Sequence, residues 1–250
     1  RIITNHSDGT LPLDRVKAAI NPVDPHFGPT RLICLENTFN GRVLDPHYVK
    51  QASELARANK LLIHMDGARL FNAAVAQNVK VASLVEQVDS VQICFSKGLS
   101  APVGSLVAGS KQFIKEARNS RKMVGGGMRQ AGVIAAACLV ALDTMVTRLK
   151  EDHDNAAVLA AGLSDLKGLV VDSAETNMVF ASITTDQMSA AGLVERLAAE
   201  GVKVLATGEN TIRIVTHYGI EAADITAAIS AFHNVLNEPG RMQATAGRPG

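Results

Sequence analysis

The sequence predicts an α/β protein with a largely parallel sheet, followed by a smaller α+β domain. Four short apolar segments in the first part of the chain alternate with segments of helical periodicity; they are residues 31–36, 61–65, 90–95 and 104–108. Short apolar strands that alternate with helices are typical of parallel sheets covered on both faces. The pattern changes near residue 150, where a long helical stretch leads into shorter strands and helices.

The helices of the first part are predicted from apolar residues that recur at helical spacing. Residues 46–59 show this pattern most clearly, and Pro46 suits the first turn of a helix. Shorter segments of the same kind are residues 14–20 and 68–76. Each lies next to a predicted strand, as the alternation requires.

The second part begins with a long helical pattern. Residues 128–150 predict one long helix, and residues 151–166 continue as helix. Further strands are predicted at 178–183, 202–205 and 212–216, and further helices at 190–199 and 222–236. The expected divisions are a large domain (1–150), a small C-terminal domain (151–238) and a disordered tail rich in Gly, Pro, Arg and Thr (239–250).

The composition excludes several classes of partner. Hydrophobic residues make up 47% of the 250 residues and the net charge is +1, so nothing favours nucleic acid or an anionic membrane. No apolar run reaches the roughly 18 residues of a membrane span. The three cysteines, Cys34, Cys94 and Cys138, each lie in an apolar segment and are expected to be buried free thiols. An odd, unpatterned set suits a reducing compartment and predicts a cytoplasmic protein.

Two charged residues follow successive predicted strands. Asp66 ends the segment LLIHMD, and Lys97 follows VQICFS. Ligands of parallel sheets bind beyond the carboxyl ends of the strands. A pyridoxal cofactor needs a lysine amine for its aldehyde and a carboxylate beside its ring nitrogen, and these two residues supply that pair. Taken singly, the lysine also fits a solvated strand end and the aspartate a turn or helix cap.

Several motifs resemble one enzyme family. HMDGARLFNAAVA, ICFSKGLSAPVGSLVAGS and GGGMRQAG closely resemble the low-specificity L-threonine aldolases of the β-eliminating lyase group, and LICLENT, EDHDNAA and ETNMVF agree with them. The resemblance runs from about residue 8 to 236. It implies the aspartate-aminotransferase-like fold (fold type I) and pyridoxal 5'-phosphate as cofactor.

The resemblance also implies roles for individual residues. Lys97 would bind the cofactor, Asp66 would pair with its ring nitrogen, and Arg69 would hold its phenolic oxygen. Arg213 would bind the substrate carboxylate, for which its planar guanidinium is suited. His26 would approach the substrate hydroxyl. Without the family, Arg213 would fit a solvated strand face and His26 an ordinary loop histidine.

The glycine run at residues 125–127 precedes a predicted helix and could hold an anion or act as a hinge. Lys122 and Arg129 flank it and resemble substrate-binding residues near the mouth of the family's site. His64 could support Asp66, although a satisfied core histidine is the simpler interpretation. The letters EDHDN suggest a capped helix start, and no zinc site is expected because ligand spacing is lacking.

Other family features have no counterpart here. The phosphate-binding loop, a ring-stacking histidine and an early serine lie upstream in the family, so the chain is expected to lack an N-terminal portion. ENTF also stands where the family commonly has ENTH, which leaves Phe39 without a histidine's role.

The expected activity is retro-aldol cleavage of L-threonine, L-allo-threonine and related β-hydroxy-α-amino acids to glycine and an aldehyde. The expected assembly is a homotetramer built as a dimer of dimers. Alternatives that stay open are a phenylserine aldolase, another fold-type-I lyase or aminotransferase, and a non-catalytic fragment of such an enzyme. A nucleotide-binding protein is disfavoured because no G-x-G-x-x-G follows a strand.

Overall fold

The computed structural model describes residues 1–237, which form two compact units. The first unit contains residues 1–154 with the short segments 175–177 and 217–219, and the second contains the remaining residues from 155 onward. The predicted tail, residues 239–250, lies outside the described residues.

The first unit carries the larger set of elements. Its strands are β1 (Leu32–Glu36), β2 (Leu62–Asp66), β3 (Ser90–Cys94) and β4 (Ser105–Gly109). Its helices are α1 (Leu13–Ala18), α2 (Pro46–Ala58), α3 (Leu70–Gln77), a 3-10 turn (Val81–Val85), α4 (Lys111–Met123), α5 (Gly132–Thr144) and the first residues of α6 (Leu149–Ser164). The strands predicted at 31–36, 61–65, 90–95 and 104–108 and the helices predicted at 14–20, 46–59 and 68–76 are thereby confirmed within a few residues.

The sheet of the first unit is mostly parallel, as predicted. Its strand order is β1-β2-β3-β4, with β1, β2 and β3 parallel and β4 antiparallel to β3. The three parallel strands therefore place their carboxyl ends along one edge. Ile63 and Met65 on β2 and Ala52 and Ala56 on α2 are completely buried, since the apolar stripe of α2 packs into the same core as this strand.

The expectation of three buried cysteines is wrong for Cys34. Strand β1 lies at the end of the sheet, and its burial alternates along the strand. Cys34 is on the exposed side, whereas Ile33 and Leu35 face the core. Period-two alternation on an edge strand explains the difference. Cys94 and Cys138 are half-buried, and all three thiols are free.

The single long helix predicted for residues 128–150 is wrong. Helix α5 ends at Thr144, and α6 begins at Leu149 after a turn. The Thr144 hydroxyl donates to the Val140 carbonyl at 2.8 Å, a contact that competes with regular helix geometry. Leu149 is fully buried after the turn, so packing of this side chain fixes where the second helix starts.

The second unit is an antiparallel sheet with helices. Its strands are β5 (Leu169–Ser173), β6 (Met178–Ile183), β7 (Leu205–Ala206) and β8 (Thr211–Val215), in the order β5-β6-β8-β7. Its helices are the remainder of α6, α7 (Ala190–Ala199) and α8 (Ala222–Asn237). Leu193, Leu197 and Phe232 are fully buried against this sheet, which confirms the α+β character of the second part.

Three elements were not predicted from the sequence: the 3-10 turn Val81–Val85, helix α4 and strand β5. Helix α4 buries none of its residues and is mostly charged or polar, and Ser110 caps it by accepting from the Phe113 amide at 3.2 Å. Strand β5 is short and carries a register irregularity between Val171 and Ser173. Elements that bury few side chains carry few apolar residues by which they can be detected.

No single helix within residues 1–237 has the length and hydropathy needed to cross a membrane; α5 and α6 satisfy that test only when they are joined across their break.

Candidate active site

The carboxyl ends of β1, β2 and β3 bring three polar side chains into register. Glu36 pairs with Asp66, and Asp66 pairs with Gln92 across the parallel ladder. The ladder continues past the strand ends, because the Asn37 amide donates to the Asp66 carbonyl at 2.9 Å and the Gly67 amide donates to the Gln92 carbonyl at 2.8 Å. This edge is where a parallel sheet binds ligands.

The Asp66 carboxylate is oriented by two donors. Its Oδ1 accepts from the Gln92 side-chain amide at 2.7 Å and from the Ala68 backbone amide at 2.9 Å. No side chain or amide within residues 1–237 donates to Oδ2. A fixed carboxylate with one available oxygen is what a protonated ring nitrogen requires, so Asp66 fits a pyridine ring at this position.

Gln92 was not singled out from the sequence. The one signal was a polar amide inside the apolar strand segment SVQICF, and such a residue also occurs on solvated strand faces. His64, considered earlier as a support for Asp66, instead has its Nδ1 at 2.8 Å from the Ser90 hydroxyl. Gln92 therefore has the supporting position that the sequence had suggested for His64.

Lys97 lies in the tight turn that follows β3. The Ser100 amide donates to the Lys97 carbonyl and the Ala101 amide donates to the Phe95 carbonyl, both at 2.9 Å. The lysine side chain is exposed, and within the described chain its amine has no hydrogen-bond or ion-pair partner. An accessible, uncommitted amine is suited to react with an aldehyde.

The charges at this edge influence one another through Glu36. Partial burial raises the pKa of the Glu36 carboxyl, and the negative charge of Asp66 raises it further. The positive charges of Lys97 and Arg69 act in the opposite direction on the same pKa. The structure thus brings Asp66, Lys97 and Arg69 into one electrostatic neighbourhood, with Glu36 as a fourth member that the sequence had not indicated.

Arg69 follows Asp66 in the turn that leads into α3. It occupies the position before the first residue of that helix and is half-buried. The Leu70 amide donates to the Gly67 carbonyl at 2.9 Å, which closes the turn. The sequence DGAR therefore forms one compact turn that keeps Arg69 beside Asp66.

His26 lies in the exposed loop before β1. Within residues 1–237, its hydrogen bonds are made to Asp24 and not to a residue at the carboxyl ends of the strands. Its Nδ1 is 2.8 Å from Asp24 Oδ1, and its backbone amide donates to the same oxygen at 2.8 Å. These two bonds lower the pKa of the Asp24 carboxyl. Asp24 therefore fixes the ring so that Nε2 is the nitrogen open to a ligand.

In the glycine run at residues 125–127, the amides of Gly125 and Gly126 bond to helix α4 and do not form an anion site. Gly126 donates its amide to the Arg121 carbonyl at 2.8 Å, and Gly125 donates to the Lys122 carbonyl at 3.2 Å. Both amides thus end α4 instead of starting α5, and they are not available to an anion. Lys122 and Arg129 are both exposed on either side of this run.

Arg213 lies in the second unit, on β8. It pairs with Phe180 of β6 on one side and with Leu205 of β7 on the other. Its Nε is buried and has no hydrogen-bond partner within residues 1–237. A buried guanidinium N–H without a partner is costly, so the position fits a ligand with oxygen acceptors such as a carboxylate.

Asn37 serves the protein's own backbone. It is 1% exposed, and its Oδ1 accepts from the Leu44 amide at 3.3 Å. The Asn37 side-chain oxygen is therefore already engaged within the protein. Within the described chain, no cluster of three or more His, Cys, Asp or Glu side chains has the arrangement of a metal site.

Comparison with known proteins gives a consistent result. A family model described as beta-eliminating lyase matches residues 1–186. Low-specificity L-threonine aldolase 1 of Arabidopsis thaliana is 43% identical over an alignment of 252 positions, which covers 96% of this chain and 70% of that protein. The low specificity L-threonine aldolase of Escherichia coli K12 is 45% identical over 229 aligned residues, which cover 90% of this chain and 67% of that protein.

Solved structures agree on the fold. A Leishmania major threonine aldolase superposes with a TM-score of 0.72 at 19% identity and covers 93% of this chain and 69% of its own. A PLP-dependent aminotransferase from Streptococcus suis superposes with a TM-score of 0.74 at 19% identity and covers 96% of this chain and 64% of its own. At such identity these structures establish the fold alone, and they confirm the fold class expected from the sequence.

Proposed function

The chain belongs to the beta-eliminating lyase family, and on that premise we propose that it cleaves L-threonine and L-allo-threonine to glycine and acetaldehyde with pyridoxal phosphate as cofactor. Related β-hydroxy-α-amino acids are expected to react in the same way and to release the corresponding aldehyde. The observation that carries the proposal is the shared position of Asp66, with one available carboxylate oxygen, and Lys97, with an uncommitted amine, at one sheet edge.

Several residues of the first unit are assigned to the cofactor. Pyridoxal phosphate, when bound, supplies an electron sink for the bond that breaks at the substrate α-carbon. Lys97 provides the amine for its aldehyde, and Asp66 Oδ2 keeps its ring nitrogen protonated. Gln92 and the Ala68 amide hold the Asp66 carboxylate in place. Arg69 is assigned to its phenolic oxygen.

Four further residues are assigned to the substrate. Arg213 binds its carboxylate, supported by the buried Nε that lacks a partner in the described chain. Fixing the carboxylate decides which bond at the α-carbon is cleaved, since orientation selects the reactive bond. His26 accepts the hydroxyl proton at Nε2 while Asp24 holds Nδ1. Lys122 and Arg129 are proposed as substrate-binding cations.

The first test removes the lysine amine. Lys97→Ala should abolish the visible absorbance of bound cofactor and reduce threonine cleavage by at least about a thousandfold, since the covalent attachment is lost. Lys50→Ala, an exposed lysine on α2, is the matched control and should keep both properties. Absorbance and cleavage that both survive Lys97→Ala would end the proposal.

A second measurement separates the alternatives. Threonine, allo-threonine, phenylserine and serine are assayed side by side. The products measured are an aldehyde, ammonia and the 2-oxo acid that an aminotransferase would form. Aldehyde from threonine supports the aldolase. Phenylserine alone would indicate a phenylserine aldolase, and ammonia from serine would indicate a β-eliminase. A chain that gives no visible absorbance with added cofactor would support the non-catalytic alternative.

We further propose that the protein assembles as a homotetramer, a dimer of dimers. The support is the α5 surface, which carries three apolar side chains, Val133, Leu139 and Val140, each at least 61% exposed. Exposed apolar side chains grouped on one element are typical of subunit interfaces. A cytoplasmic location is proposed as well, supported by three free cysteines.

A further inference from the structure

A buried network of polar side chains lies beneath the Lys97 turn. Asn72 on α3 is 2% exposed and Asn177 is 1% exposed. The Asn72 Nδ2 is 3.1 Å from His153 Nε2 and 3.3 Å from Asn177 Oδ1. All three residues belong to the first unit. They come from three of the motifs that the family resemblance rests on, yet none has a role in the proposed function.

With the Asn72 amide nitrogen as the donor, this network is satisfied when His153 Nε2 carries no proton. The Asn72 amide carries two N–H groups, which supply Asn177 Oδ1 and His153 Nε2. His153 can accept only when Nε2 carries no proton. Burial lowers the pKa of His153 below its usual 6.5 and so favours the neutral ring, although Asp152 and Asp154 act in the opposite direction.

The amide oxygen of Asn72 faces the turn itself. A side-chain carbon added to Gly98 would stand 3.0 Å from Asn72 Oδ1 and 2.8 Å from Leu149 Cδ2. Gly98 is the residue directly after Lys97 and is buried. The backbone of the turn thus rests on the Asn72 side chain, whose rotation is blocked by its bonds to His153 and Asn177.

We propose that Asn72 and His153 are positioning residues for Lys97. They act through Gly98, whose backbone they hold at one place against α3, and thereby fix the point from which the lysine side chain projects. The inference rests on the proposed function for the role of Lys97, but not on which amino acid is cleaved. Precise placement matters, because small displacements of a reacting group lower the rate strongly.

A matched pair of substitutions separates positioning from simple packing. His153→Leu removes the acceptor and leaves an Asn72 N–H buried without a partner. His153→Gln keeps an acceptor at a similar reach from the backbone. His233→Leu on the exposed face of α8 controls for the same change elsewhere. If His153 has a positioning role, His153→Gln should behave like the parent protein and His153→Leu should not.

The first readout is amide hydrogen exchange of residues 95–101 in the cofactor-loaded protein without substrate. His153→Leu should accelerate exchange there about tenfold, the equivalent of ~1.4 kcal/mol for one lost hydrogen bond, and His153→Gln should restore it. Gly98→Ala adds a methyl group 3.0 Å from Asn72 Oδ1 and should also accelerate exchange in residues 95–101. Unchanged exchange in both His153→Leu and Gly98→Ala would overturn the inference.

The second readout is kinetic. With threonine, His153→Leu should lower kcat about tenfold and leave KM within about twofold, since the substrate carboxylate is bound elsewhere. Equal losses in the leucine and glutamine variants would indicate a structural role and overturn the inference. If the parent protein does not cleave threonine, the proposed function fails, whereas the exchange data still decide the positioning role.

Discussion

Gln92 shows how one residue can fix the geometry of another at the site. Its amide donates to Asp66 Oδ1 at 2.7 Å, while the Ala68 amide donates to the same oxygen. Hydrogen bonds to an ionised carboxylate are stronger than neutral ones, about 1.5–3 kcal/mol each. The aspartate was predictable from its place at the end of an apolar strand segment, but its partner depended on the register between β2 and β3.

The neutral state of His153 leads to a pH-dependent stability. The pKa of His153 is lower in the folded protein than the usual 6.5 of the unfolded chain. Between these two pKa values, the unfolded chain therefore binds the proton more tightly than the folded protein does. The contribution of His153 to stability is therefore complete above the unfolded pKa and decreases as the pH falls toward the lower folded pKa. Asp152, Asp154 and Lys150 are the neighbouring charges that modulate this change.

The expected result is a free energy of unfolding that falls between about pH 7.5 and about pH 5, measured by urea titration. His153→Gln should make this fall smaller, because glutamine does not titrate. If the parent and the variant lose stability equally over this range, another group causes the pH dependence and the prediction for His153 is wrong.

At the scale of elements, the end of α4 depends on the backbone conformation of Gly125. Its φ is +83°, and no atom lies within 4 Å of a carbon added there. Gly125→Ala should therefore destabilise through backbone strain alone, by about 1 kcal/mol.

Gly132 provides the comparison for this prediction. It is the first residue of α5 and also has open space around it, but its φ is ordinary for a helix. Gly132→Ala should stabilise by roughly 0.5–1 kcal/mol, since alanine favours the helix. Urea titration of both variants measures the two effects, and a Gly125→Ala variant as stable as Gly132→Ala would contradict the strain argument.

The break between α5 and α6 belongs to the same scale. Local periodicity continues through residues 128–150, so the sequence alone indicates one helix. The structure divides it at residues 145–148, where Leu149 enters the core. Helical spacing reports which side chains are apolar, but it does not report where the chain must turn to bury them.

At the scale of the whole molecule, the proposed tetramer can be tested on the α5 surface. Leu139 is 61% exposed and α5 presents further apolar side chains beside it. A charge there would be buried without a partner in an interface, so Leu139→Glu should lower the mass measured by light scattering after gel filtration.

Val158 on α6 gives the matched control, because it is 57% exposed but lies in the second unit. Val158→Glu should leave the mass unchanged. A Leu139→Glu protein that keeps the mass of the parent would exclude the α5 surface as the interface.

The sequence by itself determined the α/β class and indicated the pair Asp66 and Lys97, because strand and helix periods are local and each residue lies at or just beyond the end of an apolar strand segment. Only the tertiary structure decided the groups around that pair. Asn72 reaches His153 across 81 positions and Asn177 across 105, and Gln92 reaches Asp66 across 26. Such contacts arise from strand register and helix packing, which no local pattern of residues encodes.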